Sequence, residues 1–179
     1  FHCTTCQAGG RVLLRHACLA QACGGLVKRW TLQEPAYEQR VTAWDRERRN
    51  RSTNDDPLER AVLDVEYTDA NERRWIDVSI RHAASGAAVD VARAARRGGE
   101  AARRGERTKH DRYPGNQLTA FVVEVHGRLG GEARQWIRQQ VQKLPQDEQT
   151  KEQTRAYQAI SCCLQTQVAK QLRAAASLR

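Results

Sequence analysis

Apolar residues along this chain recur at two periods, and the period switches between helical and extended spacing several times. Over residues 11–30, Leu13, Leu14, Ala17, Leu19, Ala20, Cys23, Leu26 and Val27 cluster at spacings of three and four. That predicts a helix, weakened near its end by Gly24-Gly25. Residues 31–60 are polar and irregular; 37–41 reads as a short strand and 50–57 as a loop by composition. Two short apolar runs follow, 61–67 and 74–80, with the polar linker 68–73 expected to be a hairpin loop. Each run is apolar on both sides of a single aspartate, the pattern of a strand buried on both faces within a sheet. After an exit loop at 82–86, residues 87–112 predict an Ala- and Arg-rich helix interrupted at Gly98-Gly99 and at Gly105, and stopped by Tyr113-Pro114-Gly115-Asn116. Residues 118–125 form the clearest strand, and 132–144 a helix ended by Pro145. The Gln-rich segment 147–177 predicts a last helix with Tyr157, Ile160, Leu164, Val168 and Leu172 on one stripe, which should pack on the domain or on a partner helix.

This order predicts an α/β chain with a mixed sheet flanked by helices on both faces. The expected division is a small N-terminal segment and helix (1–30), a sheet domain (31–145) and a C-terminal helix (146–179). At 179 residues there is length for one domain with a real core. No apolar run approaches a membrane-spanning length. The chain opens at Phe1 and contains no methionine, so a domain cut from a longer polypeptide is expected. Six unevenly spaced cysteines do not resemble a secreted disulfide framework, which favours an intracellular setting.

Charge sharpens the picture. The formal net charge is +9, and between Val91 and Tyr113 eight Arg or Lys stand against three acids. A concentrated basic stripe suits a phosphate backbone. Arg96, Arg103 and Arg107, with Arg112 in the same run, are the expected phosphate contacts. Asp64 and Asp77 are the candidate chemistry. A carboxylate in an apolar strand costs several kcal/mol unless it is paired or bound to metal, and two on paired strands can share one divalent cation. Lys109, on the basic helix, can return beside them. With a positive surface, these groups are a minimal set for cutting a phosphodiester with Mg²⁺ or Mn²⁺. Glu124 is a third candidate metal ligand and Glu38 a weaker one. At the N-terminus Cys3, Cys6 and His16, with Cys18 or Cys23 as the fourth group, resemble a Zn²⁺ set. The Cys162-Cys163 pair is expected to pack on the last helix.

Taken in order, these pieces resemble the carboxy-terminal part of the open reading frame of site-specific non-LTR retrotransposons, where a CCHC zinc knuckle precedes a restriction-endonuclease-like domain of the PD-(D/E)XK class. The matching pieces are Cys3-x2-Cys6 with Arg15-His16, Leu63-Asp64-Val65, Trp75-Ile76-Asp77-Val78-Ser79-Ile80, residues 109–113, Phe121-Val122-Val123-Glu124 and Gly127-Arg128-Leu129-Gly130. The resemblance implies a restriction-endonuclease-like fold, with Asp64 and Asp77 as metal ligands. It also implies that the active-site lysine, normally two residues after the second acid where Ser79 stands, is displaced to Lys109. No proline precedes Asp64. The implied function is nicking of target DNA in the nucleus, priming reverse transcription by an upstream domain of the same polypeptide, with element RNA as a further partner. The alternatives are a catalytically inactive nucleic-acid-binding module and a helix-mediated interaction domain.

Overall fold

The protein is described by a computed structural model at residues 11–47, 58–83 and 87–176. The first helix, α1, runs Arg11–Thr31. Leu19, Cys23, Leu26 and Val27 are its buried face. It closes through Leu32, which adopts φ +58 and donates its N–H to the Lys28 carbonyl, a left-handed ending of the usual kind. Gly24 does not break the helix. It lets the Tyr37 ring pass, and a Cβ at that position would collide with the Tyr37 hydroxyl.

Six strands follow: β1 (Ala36–Arg40), β2 (Arg46–Glu47), β3 (Leu58–Glu59), β4 (Val62–Asp69), β5 (Glu72–Arg81) and β6 (Leu118–Glu124). The main sheet has the order β1-β4-β5-β6, with β1, β4 and β5 antiparallel in turn and β6 parallel to β5. Strands β2 and β3 form a separate antiparallel pair. The β4–β5 turn is tighter than the polar composition suggests. Ala70 and Asn71 alone form it, both with positive φ, as a two-residue hairpin requires. Asp69 and Glu72 are already paired in the ladder, so most of the polar stretch expected as loop is strand.

A parallel connection needs a long crossover, and the basic segment supplies it as two helices, α2 (Ala88–Arg96) and α3 (Glu100–Arg112). The break falls at Gly98-Gly99, as expected, with Gly99 at φ +85. Gly105, expected as a second break, lies inside α3. It is where the helix presses on the sheet: a Cβ there would lie 2.9 Å from Val122 Cγ1 and 3.1 Å from Arg81 Nε. Gly105→Val is expected to destabilise the fold by roughly 1–3 kcal/mol through overpacking, read from the urea midpoint. An unchanged midpoint would show that α3 can shift outward freely.

Helices α4 (Gly131–Val141) and α5 (Gln146–Ala176) complete the chain. Val65, Tyr67, Ile76, Val78, Phe121 and Val123 point to one face of the sheet and share a core with α1, α4 and α5. Trp75, Leu118, Ala120 and Val122 point to the other, beneath Ala102 of α3 and the Trp44–Tyr113 ring pair. Helices therefore cover both faces, as the order of elements predicts.

α5 lies antiparallel on α1. Arg29 donates twice to Glu152, at 2.6 and 2.7 Å, while Arg15, about four turns earlier on α1, donates to Gln171. Ala156, Ile160 and Leu164 are fully buried in the main core, whereas Leu172 at the far end of the stripe is exposed. The boundaries expected at residues 30 and 145 fall between elements that share this core. Glu152 is held down to about 2, chiefly by the Arg29 guanidinium. Its folded pKa is depressed, so its contribution to stability is present above the usual glutamate range and is lost as pH falls towards 2. Glu152→Gln is expected to lower Tm by several degrees at pH 7, with the difference shrinking below pH 4; equal Tm values at pH 7 would contradict this.

Candidate functional site

The two aspartates meet where the sheet is interrupted. The β4–β5 pairing runs from Asp69↔Glu72 to Val65↔Ile76 and stops there; one more step of that register would set Asp64 opposite Asp77. On the other side, β1 pairs with β4 on either side of Asp64 but not at it, and Glu38, the residue across from it, has φ +52. Leu63 packs with Trp75 and Leu118, while Val65 belongs to the opposite core. The period-2 alternation of β4 therefore breaks at Asp64. Instead of pointing squarely off the sheet, its carboxylate accepts the backbone N–H of Val78 at 2.6 Å.

Asp77 is 4 % exposed. Lys109 Nζ, from the last turn of α3, lies 2.7 Å from its Oδ2. The ammonium and the carboxylate form a close, largely buried ion pair. Burial pushes the Asp77 carboxyl up to about 6, against the pull of Lys109 and with the help of the neighbouring Asp64 charge. Burial acts in the same sense on Asp64, but hydrogen bonds from His16 and Val78 overcome it and hold Asp64 below its ordinary value. Two carboxylates whose environments push them apart in this way titrate as one unit.

His16 reaches this point from α1. Its Nε2 is 3.1 Å from the Val78 carbonyl and 3.4 Å from Asp64 Oδ2. It was expected in the zinc set, of which Cys3 and Cys6 lie outside the described residues. Cys23 is fully buried in the main core, and burial drives its thiol well up. Cys18 accepts a hydrogen bond from Gln167 on α5. His16 and Cys23, two turns apart on α1, both lie near Asp64, the thiol within the core and the imidazole at the carboxylate. Among the described residues, no three His, Cys, Asp or Glu side chains gather as a metal-binding group. Cys163 packs against the main core and Cys162 is exposed.

Three other expected residues have different tasks. Glu124 pairs in register with Arg81, four residues along from the Asp77↔Ala120 pair, or about 13 Å at strand spacing. Its carboxylate accepts the Ala102 N–H at 3.4 Å in the first turn of α3 and sits 3.6 Å from Arg128, away from the aspartates. Arg112 does not face outward. It donates to the carbonyls of Trp44 and Glu59, at 2.6 and 3.0 Å, and ties α3 to the β2–β3 segment. Arg96 is exposed but on α2, so it shares no helical face with Arg103 and Arg107, which are exposed on α3 beside Glu100.

Beside Lys109 a cleft of about 360 Å³ opens, lined by Arg46, Arg81, Lys109 and Arg112 with Glu59 and Asp111. Arg46 and Arg81 were not anticipated. Arg81 carried a readable signal, since it shares with Asp77 and Ser79 the alternate positions of one strand; Arg46 carried none. A second cleft of about 340 Å³ lies at the hairpin end, near Tyr67, Arg74 and Gln139. Its acids Asp69 and Glu132 are matched to Lys143 and His110. No helix among the described residues is long and apolar enough to cross a membrane. No family model, curated protein or solved structure matches the chain.

Proposed function

We propose that this chain is a metal-dependent DNA endonuclease on a restriction-endonuclease-like core, with Asp64, Asp77 and Lys109 at its centre. One observation carries the reading. Three groups from β4, β5 and α3 converge at a break in the sheet, and the cationic cleft opens beside them. The mixed four-stranded sheet with helices on both faces is compatible with that core.

The donor set fits a hard cation. Asp77 Oδ2 is a buried oxygen met by the Lys109 ammonium, next to a second carboxylate. Mg²⁺ is commonly held by one or two carboxylates with water and substrate phosphate completing its shell. Asp64 and Asp77 would hold it, and the bound ion would supply Lewis-acid polarisation of the phosphate and a more acidic water. Lys109 would move from Asp77 towards the phosphate and stabilise charge developing on it. Arg46 and Arg81 would bind the flanking backbone. Exposed Arg103 and Arg107 would add sequence-independent contacts further out. A zinc set would need Cys3 and Cys6, which lie outside the described residues, and would have to draw His16 from Asp64.

The retrotransposon setting, with target nicking in the nucleus ahead of reverse transcription, rests on the sequence resemblance alone. A second reading, binding without cutting, is favoured by one feature: Ser79 stands where the usual lysine of the class would be. Mg²⁺- or Mn²⁺-dependent relaxation of supercoiled plasmid separates the two. Lys109→Met is expected to slow relaxation about 10²- to 10³-fold, the size typical for loss of one charge-stabilising donor. A gel shift that fades steeply with salt, with no cutting under any metal condition, would select the binding module.

A further inference from the structure

We propose that His16 is a positioning residue for this site: its Nε2–H is shared between the Val78 carbonyl and the Asp64 carboxylate and fixes the direction in which Asp64 faces Asp77. The inference rests on the metal reading above for its consequence, but its geometry stands by itself. Nε2 lies 3.1 Å from a backbone carbonyl and 3.4 Å from Asp64 Oδ2. The Val78 carbonyl can only accept, and Asp64 Oδ2 already accepts the Val78 N–H. A ring nitrogen between two acceptors must carry hydrogen, whether the imidazole is neutral or protonated. The same carboxylate oxygen accepts the Val78 N–H at 2.6 Å. Asp64 Oδ2 is therefore held from two directions by one residue of β5 and one of α1.

That support is needed because the ladder fails there. Asp64 has no strand partner on the β1 side, and the β4–β5 pairing ends one residue away. A carboxylate at such a break has no regular backbone to set its angle. Groups that hydrogen-bond a metal-bound carboxylate fix its orientation, and their removal typically weakens metal binding 10- to 100-fold. His16 is well placed to act this way without touching substrate. It approaches from the helix on the main-core side, whereas Lys109 and the cationic cleft approach from α3.

The test uses the intact chain and Mn²⁺ alone, by calorimetric titration. His16→Phe keeps the ring's bulk and removes the donor; His16→Gln keeps an Nε2 donor that cannot take up charge. His16→Phe is expected to weaken Mn²⁺ binding at least tenfold with Tm within a few degrees of wild type, and His16→Gln to bind within about threefold of wild type. Wild-type affinity in His16→Phe overturns the positioning role, as does equal loss in both variants. A second readout needs no metal: nitrogen–proton correlation of the His16 ring should show hydrogen on Nε2, and a neutral ring with hydrogen on Nδ1 only overturns the role. If wild type binds no Mn²⁺, the metal reading fails, and the consequence for His16 fails with it. The metal-free ring signal then distinguishes that failure from a wrong assignment of the hydrogen bond.

Discussion

Asp77→Asn is expected to make the metal-free protein more stable above pH 6 while abolishing metal-dependent cutting. Asp77 is buried, and burial raises its carboxyl to about 6 from a usual value of 3.8. Between those values the folded chain binds more protons than the unfolded chain. Stability from this group is full below the unfolded pKa and is lost as pH rises through 6. Above that, the folded protein carries an ionised carboxylate that its surroundings disfavour. Two pKa units correspond to at most about 3 kcal/mol, and the loss of the Lys109 ion pair offsets part of the gain. A net increase of roughly 1–2 kcal/mol at pH 8 in EDTA is expected, shrinking to nothing near pH 4. Mg²⁺ should then stabilise wild type and leave Asp77→Asn unmoved. A variant less stable than wild type at pH 8 would mean that Asp77 is a structural ion pair and not a strained ligand.

The second large effect concerns the last helix. Removing residues 146–179 is expected to abolish cooperative folding. Ala156, Ile160 and Leu164 are fully buried against Leu19, Val27 and Ile137, and Glu152 accepts from both Arg29 and Trp30. Burying a Leu or Ile side chain contributes about 1.5–3 kcal/mol. Deletion removes two of these and also exposes the faces of α1 and α4 that they cover. The total approaches the whole stability of a typical domain, about 5–15 kcal/mol. Residues 1–145 should show no sharp thermal transition and no near-ultraviolet dichroism from Trp30 and Trp136, whose rings lie 5.5 Å apart. A cooperative melt for that fragment would make α5 an appendage.

Much of this arrangement was legible in the pattern of residues. α1, α4 and β6 follow directly from their apolar spacing, and the α2–α3 break from Gly98-Gly99. Asp64 and Asp77 stood out because a carboxylate in an apolar strand needs a partner, and Lys109 does reach Asp77. What was not legible depends on contacts distant in sequence. Gly105 resembles a helix breaker in one dimension and is a packing contact in three. Glu124 and Arg112 look like free functional groups until a helix N-terminus and two carbonyls occupy them. His16 sits near cysteines in sequence, which points to a zinc set and gives no sign of its contact with Asp64. The two-residue strands β2 and β3 are too short to leave a period, and with them went Arg46 and the wall of the cleft.

Relaxation of supercoiled plasmid by the purified chain, with Mg²⁺ or Mn²⁺ and again in EDTA, beside Asp77→Asn, is the most direct test of the site. Metal-dependent nicking by wild type that is lost in Asp77→Asn, a protein at least as stable at pH 8, is the predicted result. Nicking of equal rate in both proteins would contradict the assignment of the paired aspartates as the catalytic centre.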